Sequence, residues 1–201
     1  MTAAHALRRA VSTLALVALA AVVAGCAHPI SLAGNAANLS GTGKAKIDKA
    51  AGLAVTEEDR KREVTSPGGG GDKVRYLPWR DLETGLYIAL SESFTRVVRV
   101  AGATDPKVKA EGLNYVVTPR IVTTSYSPSL VTWPPTIFTI ELTCQVTDAD
   151  GAALTEVRAL GEGRAEFDEF RGDFSLAAKR AADDALAKLI KAIGDAAPKL
   201  R

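Results

Sequence analysis

The chain has 201 residues, 25 of them Lys or Arg and 23 Asp or Glu, and Arg8 and Arg9 account for the whole surplus of positive charge. Residues 26–201 are therefore formally neutral, which argues against nucleic acid as a partner and against electrostatic membrane binding. Two cysteines and two histidines leave little for metal ligation or for histidine acid–base chemistry.

Residues 8–26 read RRAVSTLALVALAAVVAGC. A positive start, an uncharged run from Ala10 to Gly25 and a small-residue end make the three parts of a secretory signal peptide. The uncharged run is shorter than the roughly 20 residues that span a bilayer. Val23, Ala24, Gly25 and Cys26 resemble the lipobox of bacterial lipoproteins, with Val23 at the aliphatic position, Ala24 and Gly25 as the small residues and Cys26 as lipid acceptor. The resemblance implies diacylglycerol on the Cys26 sulfur, cleavage between Gly25 and Cys26, and removal of residues 1–25. It also implies an outer-membrane location with the domain facing the periplasm, because Ala27 rather than an aspartate follows the cysteine. With Cys26 lipidated, Cys144 has no partner for an intrachain disulfide. No cofactor is expected beyond the covalent lipid.

Residues 26–47 are small, polar and rich in Gly, Ser and Asn, which predicts a flexible tether ahead of a single domain over 48–201. Residues 49–55 are a short apolar strand, and 57–63 a solvated run of mixed charge. The four glycines at 68–71 require a loop. Lys73 is followed by Val74 and no strong strand precedes the loop, so a phosphate-binding loop is not supported.

Asp81 is the expected N-cap of a helix whose Leu82, Leu86, Leu90 and Phe94 recur every four residues, with Val97 and Val98 beyond. Gly85 within it suggests close backbone approach. Tyr76 and Trp79 precede the helix as a packed corner, Trp79 being also a candidate partner contact. Residues 113–126 form a strand, and Pro119 marks it as an edge or a bulge. The loop 127–135 holds three prolines and Trp133, a candidate contact for a partner or membrane.

Residues 136–147 alternate cleanly: Phe138, Ile140, Leu142, Cys144 and Val146 point to one side, which places Cys144 in the core. Asp148 to Gly151 is a hairpin turn. The next strand, 154–167, carries Val157, Ala159, Gly161, Gly163 and Ala165 on one face, small enough for a helix to lie close. The last helix runs from Phe174 to Ile193, with Phe174, Ala178, Ala181, Ala185 and Leu189 as its inner stripe, capped by Asp173 and stopped by Gly194, with Asp184 and Lys188 paired.

These elements predict an α+β two-layer sandwich: a mostly antiparallel four-stranded sheet with two amphipathic helices on one face, in the order β-α-β-β-β-α. The hairpin followed by an alanine-rich helix resembles the small periplasmic lipoprotein domains of the YajG and LpoB types and the related domain of the curli secretion lipoprotein CsgG. No catalytic constellation is present in the sequence. The expectation is a non-enzymatic, membrane-anchored envelope lipoprotein that binds an envelope protein or glycan. The alternative is an oligomeric subunit of an envelope export or assembly complex.

Overall fold

The computed structural model describes residues 27–41, 46–128 and 132–200. The leader, with Val23, Ala24, Gly25 and Cys26, lies outside the described residues. In chain order the strands are β1 (Ala27–Pro29), β2 (Ile47–Ala54), β3 (Val64–Pro67), β4 (Lys73–Tyr76), β5 (Phe94–Val100), β6 (Tyr115–Tyr126), β7 (Ile137–Asp148) and β8 (Ala153–Arg164). The helices are α1 (Glu57–Lys61), α2 (Pro78–Ser93), α3 (Pro106–Ala110), α4 (Phe167–Phe170) and α5 (Leu176–Ala196).

The fold is mixed α+β, but the sheet is not the four-stranded antiparallel one expected. It has five strands in the order β5-β2-β6-β7-β8, and a second sheet has three in the order β1-β4-β3. Strand β2 is parallel to both β5 and β6, while β6, β7 and β8 form an antiparallel meander. The extra strand is β5. Phe94, Val97 and Val98, expected on the helix, belong to FTRVVRV, whose β-branched residues favour an extended chain. Helix α2 ends at Ser93 and the chain turns straight into β5. Because β2 is interior, its run Ala51 to Ala54 is buried without alternation.

Pro119 sits in β6, which is interior rather than an edge. Strand β2 pairs only with Tyr115, Val116 and Val117, so beyond that point β6 has no ladder on the β2 side, and Pro119 costs no sheet hydrogen bond there. Its carbonyl accepts from the Trp79 indole at 3.3 Å.

Helices α2 and α5 cover one face of the large sheet and close the main core. Ala54, Val100, Val108, Leu113 and Val116 form a small second core on the other face, under α3. Burial on β7 follows the expected alternation, with Phe138, Ile140, Leu142, Cys144 and Val146 at 0–1% exposure. The β7–β8 hairpin turns where expected, with Gly151 at φ +91°.

Close helix–sheet packing is the reason for the glycines of β8. A Cβ on Gly163 would sit 2.0 Å from the Ala177 carbonyl oxygen, and one on Gly161 2.2 Å from that of Ala181. Gly85 of α2 likewise admits Leu186, whose Cδ1 would lie 2.4 Å from a Cβ there. Asp173 and Gly194 do not bound the last helix. Asp173 accepts from Ser175 N and Lys179, and the helix continues through Gly194 to Ala196. Phe174, expected on the inner stripe, is 47% exposed.

The outer edge of β8 is closed by side chains of α5. Arg180 donates to the Arg164 carbonyl (2.7 Å), Asp184 accepts from Glu162 N–H (2.9 Å) and Lys188 donates to the Leu160 carbonyl (3.0 Å). Four helical residues rise about 6.0 Å and two strand residues about 6.8 Å, so the two rows stay in step. An edge occupied in this way is a poor template for another strand.

Two predictions follow from this packing. Gly163→Ala is expected to destabilise the domain by about 1–3 kcal/mol, measured by urea unfolding, because backbone rather than a flexible side chain blocks the added methyl. Cys144 is 1% exposed and burial pushes its thiol up to about 12. A thiol reagent should therefore label it slowly in the native state and rapidly once urea has unfolded the chain.

Candidate functional site

The segment expected as a flexible tether is packed on the domain wherever it is described. Strand β1 runs parallel to β4, pairing Ala27 with Lys73 and Pro29 with Arg75. Leu32 and Leu39 are 0% and 1% exposed. Two aspartates clamp the backbone between them. Asp81 accepts from Leu32 N–H at 3.0 Å, and Asp183 accepts from Asn35 N–H at 2.9 Å and the Asn38 amide at 3.2 Å. Asp81 is thus not the N-cap of α2. That helix starts at Pro78, whose fixed φ suits the first position. Both aspartates line a groove of about 350 Å³ with Ala33, Gly34, Arg80 and Gly85, but each is already committed to holding this segment.

The two tryptophans differ in role. Trp79 is 6% exposed, beneath the Arg62 guanidinium at 4.7 Å, and belongs to the core. It is a packed corner and offers no contact surface. Trp133 is half-buried between His28, stacked on it at 4.2 Å, and Phe174, tilted against it at 4.9 Å. The glycine loop lies beneath this stretch. Gly69 N–H donates to the Trp133 carbonyl (2.9 Å), and a Cβ on Gly68 or Gly69 would strike the carbonyl of Trp133 or Thr132 at 2.2 or 1.8 Å. Gly68 and Gly69 are needed for this close contact.

The sheets are joined by hydroxyls. Tyr76 donates to Ser66 (3.1 Å) and shares a hydrogen bond with Thr123 (2.7 Å), and Ser66 shares one with Ser125 (2.6 Å). Burial raises the Tyr76 phenol above its ordinary value. Beside this network a cavity of about 360 Å³ is lined by Thr132, Ile137, Arg164, Phe167 and Phe170. Thr132 Oγ1 is buried with no hydrogen-bond partner.

A charged cluster surrounds Glu83 in the second turn of α2. The run expected as a solvated turn is helix α1, closed by a capping box between Thr56 and Asp59. It presents Arg60 to Glu83 in two hydrogen bonds of 2.7 Å, and Arg99 approaches the same carboxylate at 3.3 Å while lying over the Tyr87 ring. The hydrogen bonds from Arg60 hold the Glu83 carboxyl below its ordinary value, against the opposing effect of burial. The Glu83 side chain is 14% exposed. Among the described residues, no group of three or more His, Cys, Asp and Glu side chains could hold a metal ion. No described helix is long and apolar enough to cross a membrane.

Because the Glu83 pKa is lower folded than unfolded, its contribution is fully present above the ordinary glutamate value of about 4.3 and is lost as the pH falls through the folded value. Arg60→Ala should cost about 1–3 kcal/mol at pH 7. The difference between parent and variant should shrink as urea titrations move from pH 7 toward strongly acid solution.

No family model and no curated protein matches the chain. Solved structures do resemble it. A Xanthomonas campestris protein, XCC0632, is 12% identical over 86% of this chain and 92% of its own, with a TM-score of 0.48. A minor lipoprotein from Acinetobacter baumannii is 14% identical, covering 73% and 93%, at 0.45. A dodecamer of a PelC variant from Paraburkholderia phytofirmans is 14% identical, covering 75% and 92%, at 0.44.

Proposed function

We propose that the chain is a lipid-anchored protein of the bacterial envelope whose domain acts by binding rather than by catalysis. The observation that carries this reading is the sequence of residues 8–26: a positive start, an uncharged apolar run and Val23-Ala24-Gly25 directly before Cys26. Lipid on Cys26 would hold the processed protein in the outer membrane with its domain in the periplasm. Each buried methylene contributes about 0.8 kcal/mol, and two or more acyl chains give stable attachment. The side chains that could do acid–base work support the binding role, because the best-placed ones are engaged in structure: Asp81 and Asp183 hold the N-terminal segment, and Glu83 is held by Arg60 and Arg99. The partner is an envelope protein or glycan.

Cys26→Ala tests the reading. The parent should incorporate labelled palmitate in vivo and lose residues 1–25, and the variant should take up no label and keep its leader. A variant still cut after Gly25, or a parent that takes up no label, would count decisively against the anchor.

A further inference from the structure

Among the described residues the exposed large apolar side chains are Val122, Tyr126, Leu154, Leu160, Phe167 and Phe174. The three aromatic ones share one end of the molecule. Tyr126 closes β6 opposite Ile137, the first residue of β7, and Ile137 lies opposite Arg164, the last of β8. Phe167 lines the cavity with Ile137 and Arg164. Phe174 rests on Trp133, and Trp133 on His28. Their exposures are 56%, 57% and 47% for Tyr126, Phe167 and Phe174. Exposed aromatics gathered at one end of a water-soluble surface mark a contact.

The chain outside the described residues says what covers them. Cys26 directly precedes Ala27, and two residues of chain reach at most about 7 Å, so its Cα lies within that distance of His28. No slack follows: β1 is paired with β4, and the backbone is then held by Asp81 and Asp183. A lipid on Cys26 therefore enters the membrane beside Trp133 and Phe174. Trp and Tyr are the side chains favoured where bilayer meets water, since each has an apolar ring and a polar tip.

We infer that this aromatic end lies against the phospholipid surface into which the Cys26 lipid inserts, so that the domain is docked in one orientation rather than swinging on a tether. The inference rests on the anchor proposed above. The acyl chains supply the affinity and the aromatic side chains the orientation. Charge contributes little, because Lys73, Arg164 and Arg171 at this end are offset by Asp72, Glu166 and Asp168. Docking is accordingly expected to be equal on neutral and anionic lipid and insensitive to salt.

The test uses the processed, lipidated protein on phosphatidylcholine vesicles, with and without brominated acyl chains as a contact quencher, and with Trp79→Phe leaving Trp133 as the only emitter. Trp133 emission is expected to fall about twofold on brominated vesicles, alike with and without anionic lipid, and Phe167→Ser with Phe174→Ser should restore most of it while the protein still floats with the vesicles. Should Trp79→Phe fail to fold, the parent minus Trp133→Phe gives the same signal. Vesicle-bound protein with unquenched Trp133 overturns the docking and leaves the anchor standing. Protein that does not float with vesicles overturns the anchor, and the docking with it. Quenching that needs anionic lipid overturns the aromatic contact in favour of charge.

Discussion

The structure depends on how deeply α5 sits on β8. Gly161 and Gly163 leave the helix backbone in contact with the strand backbone, and Ala177, Ala181 and Ala185 keep the helix side equally thin. This is dispersion at short range over two flat surfaces, and a single added methyl on the strand meets main chain that cannot move aside. The depth sets other positions. It brings Leu186 into the space left by Gly85, so that α5 and α2 meet, and it brings Arg180, Asp184 and Lys188 level with the open edge of β8. One steric condition thus fixes the helix pair and the closed edge together.

The second consequence is the fate of the N-terminal segment. Asp81 on α2 and Asp183 on α5 reach the same stretch of backbone from two helices. Their spacing follows from the α2–α5 contact, and so ultimately from the glycines. Gly34 belongs to the same arrangement: a Cβ there would sit 2.0 Å from the Asp183 carboxylate oxygen. What reads as a low-complexity tether is a strap whose small residues let it lie flat in a groove. On the anchor proposed above, a strap held this way would fix the direction of a lipid on Cys26, which a free coil would not do.

The aromatic end is built from parts distant in sequence. His28, Gly69, Trp133 and Phe174 meet because β1 pairs with β4, the β3–β4 turn lies under the 132–133 backbone, and α5 begins beside them. Phe174 missed its expected place in the inner stripe because α5 starts two residues later, at Leu176. Its ring packs on Trp133 instead of the sheet.

The sequence alone determined the strands with unambiguous period, the β7–β8 hairpin and the burial of Cys144, because alternation and turn chemistry are local. It determined the close helix seam too, since a row of small residues facing an alanine stripe allows little else. It could not show β5, because Phe94 continues the four-residue spacing of α2 while Val97, Val98 and Val100 favour strand. Only pairing with β2 decides between them. Nor could it show that Pro119 lies in an interior strand, since that depends on where β2 stops. The strap and the grouping of Tyr126, Phe167 and Phe174 were likewise decided by tertiary structure. Each needs partners from elsewhere in the chain, and backbone hydrogen bonds donated to Asp81 and Asp183 outweigh the preference of a Gly- and Ser-rich segment for disorder.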